Sequence, residues 1–411
     1  MPKEGFLANF GHTRTQFLVI VLVILNAFTW YFVAFEILVH MLDTANITQN
    51  EILMIWTIHF GGVTCAVLVG ATVSNRFISR NNVLSLWMFL GVVFSLVPTV
   101  IGTTLYVSIA AISLLFGVAF GLGMPSCMAY YADFTAIDKR GRVGGIIYFA
   151  IGIGTFSLLV VLLPSTRLVE QLMILAIWRG FGLATFLILG QKNRLKVTKS
   201  PSYVAILCEK PLLFYLVPWI MFCLVNSLTS PIFPPDIVSM STIIGSVIAG
   251  LFALVGGLFS DSVGRKRVAI TGFIMLGIGY ATIGIFPENL VSYYLFSIVD
   301  GIAWGMFGAV FLMVLWGDLS RNMMPEKYYA IGGLPYLLSG FLGILVAPYV
   351  RELISKSTTF SFASLFLFLA VLPLLFAPET LPKKVIEKRR LRKYLDDVKK
   401  VKKEYERDSS D

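Results

Sequence analysis

Apolar residues fill most of this chain in long stretches separated by short polar segments. Each stretch is about 20 residues or longer, the length a helix needs to cross a hydrocarbon core of about 30 Å. The pattern therefore predicts an all-α membrane protein with twelve transmembrane helices. The predicted spans lie near residues 15–40, 52–74, 83–102, 105–131, 143–163, 170–190, 211–235, 241–260, 268–286, 290–316, 329–350 and 359–377.

The basic residues between the spans indicate how the chain is threaded through the membrane. Loops on the cytoplasmic side collect Lys and Arg. If the N-terminus is cytoplasmic, all but four of the 33 basic residues lie on that side, and the exceptions are Arg167, Arg179, Arg351 and Lys356. We therefore expect a multi-pass protein of the cell (plasma) membrane with both termini in the cytoplasm.

Composition supports the membrane interpretation and excludes several function classes. The chain is 57% hydrophobic and 14% charged, with a mean hydropathy of +0.82, too apolar for a soluble domain. The net charge of +10 lies in short cytoplasmic loops and in the tail, so we expect no nucleic-acid partner. The four cysteines show no disulfide framework and no metal-ligand spacing. Because no nucleophile–base set and no nucleotide motif is visible, we expect neither an enzyme nor a cofactor or metal.

The two halves of the chain resemble each other. Many transporters are built from such repeats. Polar and glycine positions of spans 1 to 5 recur in spans 7 to 11: Asn26 with Asn226, Thr29 with Thr229, Asp133 with Asp318, and Gly144, Gly145, Tyr148 and Gly152 with Gly332, Gly333, Tyr336 and Gly340.

This repeat divides the chain into four parts. We expect an N-terminal six-helix bundle in residues 1–190, a cytoplasmic linker in 191–210 and a C-terminal six-helix bundle in 211–382. Residues 383–411 have apolar positions at helical spacing among many charges, which predicts a basic amphipathic cytoplasmic tail. Such a helix either binds anionic lipid headgroups or is simply solvated or paired as a short coiled coil.

A charged loop follows span 8, and it reads Gly257-Leu-Phe-Ser-Asp261-Ser-Val-Gly264-Arg265-Lys266-Arg267. A glycine, an acid four residues later and a Gly-basic-basic cluster between two spans resembles the signature loop of the major facilitator superfamily (MFS). Members of that family move small solutes across membranes. The resemblance implies two pseudo-symmetric six-helix bundles, the MFS fold, and alternating access to a central site.

In the family that the loop resembles, the loop acid contacts the N-terminus of a helix in the other half, where free backbone N–H groups favour a carboxylate. The resemblance implies that Asp261 faces the start of span 5 and that Arg265 pairs with Asp318. In the first-half copy Asn75 replaces the acid, so the latch is expected to be unequal. The predicted latch residues are Asp261, Gly264, Arg265, Asn75, Arg76, Asp133, Arg140 and Asp318.

Two further fragments resemble the sugar and organic-ion porter branch of this superfamily. They are Tyr131-Ala-Asp133 followed by Arg140-Gly141, and Pro378-Glu379-Thr380 after span 12. The sugar-selective residues of that branch are missing, since span 7 lacks paired glutamines. The resemblance therefore leaves the substrate open.

Polar residues within the spans are the candidates for substrate binding. Asn26, Thr29, Glu36 and His40 fall within about 80° of one face of span 1, which indicates a substrate path. Asn26 and Asn226, together with Thr29 and Thr229, are expected to face each other near the midplane and to hydrogen-bond one solute. The alternative is that these small polar residues join neighbouring helices.

Glu36, Arg179 and Asp300 are the charged residues inside the predicted spans. A charge in that position costs at least about 2.5 kcal/mol, so it needs a partner, a cavity or a proton. Asp300 is the first candidate for proton coupling. Glu36 with His40 is a second candidate, or else an interfacial ion pair. Arg179 is expected either to bind an anionic group of the substrate or to pair with Asp300.

These features predict a secondary active transporter that moves a small organic solute by alternating access and is coupled to protons. Uptake of an organic anion or metabolite competes with efflux of apolar compounds, because aromatic residues are frequent in the spans. A non-transporting membrane sensor of the same fold is the alternative from a different class. We expect the chain to act as a monomer.

Overall fold

The computed structural model describes residues 14–74, 76–162, 167–190, 200–233, 235–321, 323–353 and 355–382, and positions 385, 387, 391, 394, 395 and 398 of the tail. Asn75, residues 191–199 of the predicted linker and most of the predicted tail helix lie outside these residues. Within the described part, one short helix, Tyr203–Leu207, precedes the second half.

Twelve of the described helices are long and apolar enough to cross a membrane, which confirms the predicted number of spans. We label them in chain order: α1 Arg14–Thr44, α2 Gln49–Val73, α3 Arg80–Ile101, α4 Tyr106–Phe134, α5 Arg140–Leu162, α6 Leu168–Leu189, α7 Lys210–Thr229, α8 Pro235–Ser262, α9 Arg265–Ile285, α10 Leu290–Ser320, α11 Glu326–Leu353 and α12 Lys356–Phe376.

Most helices begin or end beyond their predicted limits, and several of these extensions include charged residues. The start of α5 includes Arg140, the end of α10 includes Asp318, and α11 begins at Glu326. Hydropathy alone stops before such charged residues, because it scores them as if they were in lipid. Here they are buried between the two halves, where other side chains satisfy their charges.

Symmetry-related helices α4 and α10 both depart from regular α geometry. The first α-helical part of α4 ends at Gly121, and a second begins at Met124, with Pro125 in its first turn. In α10, residues Gly308–Val314 form a π-helical segment. The ring of Tyr148 from α5 occupies the space where a side chain at Gly308 would lie.

The two six-helix bundles meet through equivalent helix pairs. From the first half, α5 packs against α8 and α10; from the second half, α11 packs against α2 and α4. Adding six to each helix number converts one set of contacts into the other. The interface therefore has the pseudo-two-fold symmetry that the sequence repeat predicts.

Close approach of α5 to α8 depends on glycine. A Cβ atom at Gly141 would lie 2.6 Å from the carbonyl oxygen of Gly257, and one at Gly145 would overlap the carbonyl oxygen of Ala253. Any side chain at these positions would push the two halves apart. The backbones therefore meet directly at this end of the interface.

Candidate functional site

Four short connections lie at the same face of the molecule, which we call the latch face. Their described residues are 74, 76–79, 135–139, 263–264, 321 and 323–325. This is the face that the charge distribution assigns to the cytoplasm. Charged side chains from both halves meet there and are buried. The opposite face carries the loop after α1 and the loop after α9.

Asp261 lies at the end of α8 and joins the two halves. Its two carboxylate oxygens accept hydrogen bonds from the backbone N–H groups of Gly141 and Arg142, at 2.8 and 2.9 Å. The side chain of Arg142 also lies 3.2 Å away. These N–H groups belong to the first turn of α5, where they have no helical partners and where the helix dipole favours a negative charge.

Asp318 accepts an arginine from each half. Nη1 of Arg140 lies 2.5 Å from one carboxylate oxygen, and Nε of Arg265 lies 3.1 Å from the other. Arg265 also lies 3.1 Å from Asp261, so the four charged groups form one buried network. Arg142, which also lies 3.2 Å from Asp261, adds a third arginine at the partly exposed edge of this network.

A second buried network lies on the other side of the latch face. Arg80, in the first turn of α3, pairs with Asp133 of its own half. It also lies 2.8 Å from the carboxylate of Glu326, which opens α11 in the other half and is 1% exposed. The hydroxyl of Ser74 donates to the same carboxylate at 3.3 Å.

Sequence reasoning missed Glu326 and gave Glu379 no role. The carboxylate of Glu379 accepts from the backbone N–H groups of Arg265 and Lys266, which start α9. Gly264, just before this helix, has a φ of +111°, and a side chain there would collide with Glu379. The Pro-Glu-Thr fragment was the sequence signal that could have identified Glu379. The resemblance named this acid but gave it no partner.

Two predicted latch residues are not seen in these networks. Arg76 is exposed, and its guanidinium lies over the ring of Phe77 at 5.2 Å from the ring centre, so the expected latch contact is not formed there. Asn75 is outside the described residues.

Asn26 and Arg179 form a buried cluster inside the first half. Nη1 of Arg179 donates to the amide oxygen of Asn26 at 3.0 Å, and Asn26 donates to the carbonyl of Trp178 at 2.5 Å. The guanidinium stacks 4.3 Å from the ring centre of Trp87 and 5.4 Å from that of Trp30. Asn26 is 2% exposed and Arg179 is 0% exposed.

Asn26 therefore does not lie on the partly exposed side of α1, where the substrate path was expected. The partly exposed stripe of α1 runs along Leu25, Phe28, Phe32 and Phe35, so it is apolar and aromatic. At 100° per residue, Asn26 lies about 160° from Phe28 around the helix. The side chain of Asn26 faces α6 because it bonds to Arg179. The periodicity of α1 cannot reveal this partner.

Thr29 is also buried, and its hydroxyl has no hydrogen-bond partner among the described residues. On α7, Thr229 donates to or accepts from the hydroxyl of Tyr280 at 2.7 Å and is buried. Asn226 is half-buried, and its side chain forms no hydrogen bond with a described residue. Asn26 and Asn226 therefore do not face each other as expected, because Asn26 points into its own bundle.

Glu36 and His40 are both exposed near the end of α1 that is away from the latch face. They form no ion pair with each other in the described structure. Both lie beside the partly exposed stripe of α1, near the end of the helix and away from the middle of the span.

Asp300 is half-buried in the middle of α10 and forms neither an ion pair nor a hydrogen bond with a described residue. It is not paired with Arg179. The expected direct pair between these two residues is therefore not formed. Its carboxylate is close enough to the hydroxyls of Tyr148 and Tyr280 to act on them electrostatically. Tyr148 belongs to α5, so Asp300 lies at the interface between the halves.

Aromatic rings surround this position. Trp304 follows Asp300 by one helical turn, and its ring lies 5.8 Å from that of Tyr336 on α11. Both rings are half-buried, as is Tyr148. The candidate site therefore combines one unpaired carboxylate with aromatic side chains from both halves.

Comparison with known proteins agrees with this architecture. Residues 212–405 match the family model described as Major Facilitator Superfamily. A search of curated proteins found no significant match.

Two similar solved structures are of the proton:xylose symporter XylE. One, bound to 6-bromo-6-deoxy-D-glucose, has a TM-score of 0.69 at 17% identity and covers 89% of this chain and 96% of its own. The other, a double-tryptophan mutant, has a TM-score of 0.66 at 18% identity and covers 91% and 98%. At this identity the likeness shows the fold.

The fold is thus that of a twelve-helix transporter built from two related bundles. The family match covers residues 212–405, just under half of the chain, and the described helices form a multi-pass arrangement with twelve candidate membrane spans.

Proposed function

We propose that this transporter moves a small organic solute by alternating access and that protons drive the movement through Asp300. The observation that carries the proposal is the unpaired carboxylate of Asp300, half-buried in the middle of a span at the interface between the halves. An unpaired charge at this depth costs at least about 2.5 kcal/mol, and binding a proton removes that cost. A proton at Asp300 would therefore change which conformations the protein favours.

Alternating access is supported by the unequal contacts at the two ends of the molecule. The latch face is held by Asp261 and by Glu326, each bonded to the opposite half. In contrast, the described residues of α1 and α7 form no extensive contact with each other. We propose that this conformation is closed at the latch face and that the latch groups separate when the halves rock.

The roles of the remaining polar residues follow from their exposure. Asn226 is the predicted substrate residue whose half-buried side chain is free to bond a solute. Four of the predicted residues are buried in their own bundles: Asn26, Thr29, Thr229 and Arg179. We propose that they position the helices of the site without contacting the solute. Glu36 and His40 would act at the outer mouth, where an approaching proton or solute first meets the protein.

Efflux of apolar compounds is the second candidate, and the aromatic stripe of α1 favours it. Phe28 and Phe32 are partly exposed along that stripe, so the site is suited to a solute with apolar surface. Uptake and efflux differ in the side from which the solute is taken. The fold serves both directions equally well.

Flux into proteoliposomes tests the proposal. A library of radiolabelled organic solutes is screened for accumulation under an imposed pH difference, and hits are measured in Asp300→Asn. We expect the variant to lose accumulation against the gradient while still exchanging solute. The control Glu288→Gln changes an exposed loop acid and should behave as wild type. Accumulation by Asp300→Asn at the wild-type level would remove Asp300 from the coupling role.

A further inference from the structure

The charges around the interface indicate which solutes fit it. Among the described side chains, Asp300 is the one carboxylate in the middle of a span. Among the described residues, no cation forms an ion pair with it. The buried guanidinium of Arg179 is held by Asn26 and stacked between Trp30 and Trp87. The carboxylate of Asp300 is therefore accessible to a solute, whereas the guanidinium of Arg179 is not.

The aromatic rings add a second preference of the same sign. Trp304 lies one turn from Asp300 on α10, and it packs edge-on against Phe222 at 4.8 Å and against Tyr336 at 5.8 Å between ring centres. Trp304 and Tyr336 remain half-buried, so a solute can reach them. The faces of such rings attract cations, by about 0.5–2 kcal/mol for each good contact.

We infer that the solute of this transporter is a hydrophobic organic cation that binds the carboxylate of Asp300 and stacks on Trp304 and Tyr336. The inference rests on the proposed function and names its substrate class. A proton and the cation then compete for one carboxylate. Release of the proton admits the cation, and its return displaces the cation, so the two move in opposite directions.

This competition depends on the groups that face Asp300. From α5 it is faced by Tyr148, and from α9 by Tyr280. At the neighbouring position of α10, α8 contributes Gly245 and Ile248, which carry no charge. Since these tyrosines are neutral near pH 7, the carboxylate is the group whose titration sets the affinity for the cation.

Two ions of the same shape and opposite charge provide the test. Binding of radiolabelled tetraphenylphosphonium and of tetraphenylborate to the purified full-length protein is measured by equilibrium dialysis. We expect tetraphenylphosphonium to bind, its affinity to increase with pH, and tetraphenylborate to bind at least about tenfold more weakly, as expected for interaction with one charge. Equal binding of both ions, or tighter binding of the anion, would overturn the inference.

Variants locate the binding. Asp300→Asn should weaken tetraphenylphosphonium binding at least about tenfold and abolish its pH dependence, whereas Asp300→Glu should keep both, which excludes simple misfolding. Trp304→Leu should weaken binding by about 3- to 30-fold. Phe362→Leu, a change of an exposed aromatic residue on α12, is the matched control and should have no effect. Unchanged binding in Asp300→Asn would contradict the inference.

Flux separates this inference from the proposed function. Proton-driven flux of a neutral or anionic solute without tetraphenylphosphonium binding would reject the cation and keep the transporter mechanism. Binding of the cation that depends on Asp300, with no flux of any organic cation, would reject proton-coupled transport and keep the binding site.

Discussion

The guanidinium of Arg80 lies 2.8 Å from the carboxylate of Glu326, although 246 residues separate them and they belong to opposite halves. Both side chains are almost fully buried at the latch face. This pair is related by the pseudo-symmetry of the fold to the contact between Asp261 and the start of α5. The first contact has its acid, Asp261, at the end of α8. The related contact has its acid, Glu326, on the opposite side of the interface, at the start of α11.

This transfer changes the expected imbalance of the latch. With Asn75 in place of the loop acid, the first-half latch was expected to be the weaker one. Glu326 supplies a full negative charge on that side, and it bonds to Arg80 and to Ser74. We therefore propose that both sides of the latch face are held by a buried charge, one through backbone N–H groups and one through an arginine.

Glu326→Gln should loosen the latch face. Removing one partner of a buried ion pair costs about 3–5 kcal/mol when the other charge is left uncompensated. Arg80 keeps its pair with Asp133, so we expect a smaller cost than that. Here the cost falls on the closed conformation, since opening would expose Arg80 to water. We expect alkylation of a reporter cysteine, Ser260→Cys in a background without native cysteines, to be at least about tenfold faster.

The matched control for this variant is Glu288→Gln, which removes an exposed acid at the opposite face. Its alkylation rate should equal that of the reporter protein. If Glu326→Gln also left the rate unchanged, Glu326 would contribute nothing to closure and the pair with Arg80 would be a folding contact.

Asp261→Asn should open the same face by a different route. The amide can still accept from Gly141 or Arg142 through one oxygen, but it removes the negative charge between Arg142 and Arg265. Those arginines then repel each other across the interface. We expect increased accessibility at the latch face and slower return to the closed state, measured by the distance between spin labels on the two halves. Wild-type distance distributions in this variant would argue against the latch role.

The twelve spans could be predicted because a lipid bilayer demands long apolar helices wherever the chain crosses it. The ends of the spans could not, because hydropathy treats every charge as unfavourable. Glu326 is the clearest case: in sequence it is an acid beside a loop, and its partner Arg80 is far away along the chain. Only the fold brings the two together.

The latch acid Asp261 could be found from a local motif, whereas the polar face of α1 could not. The spacing of Asn26, Thr29 and Glu36 identifies one side of the helix but not what that side contacts. Arg179 on α6 determines this by bonding to Asn26. Asp300 could be found from the sequence because an acid in the middle of an apolar span is costly. Such residues are rare and usually functional.

Gly264→Ala should destabilise the protein through its backbone. Gly264 has a φ of +111°, a conformation that side chains other than hydrogen strongly disfavour, and an alanine methyl group would strike the Glu379 carboxylate that caps α9. The strain is about 1–3 kcal/mol, and loss of the cap adds to it. Thermal unfolding in detergent should show a lower Tm. Gly152→Ala, whose methyl group would meet open space, is the control and should keep or raise the Tm.

Arg179→Lys should show whether this buried cation supports the fold or contacts the solute. A guanidinium is planar and stacks on Trp87 while donating to Asn26, whereas an ammonium group is compact and cannot make both contacts in the same way. If Arg179 acts from behind the site, the variant should lose about 1–2 kcal/mol of stability, seen as a lower Tm, and keep the wild-type KM for transport. Arg167→Lys, an exchange at an exposed residue before α6, should change neither quantity. A raised KM with an unchanged Tm would instead mean that Arg179 binds the solute directly, and the cation inference drawn from Asp300 would then fail as well.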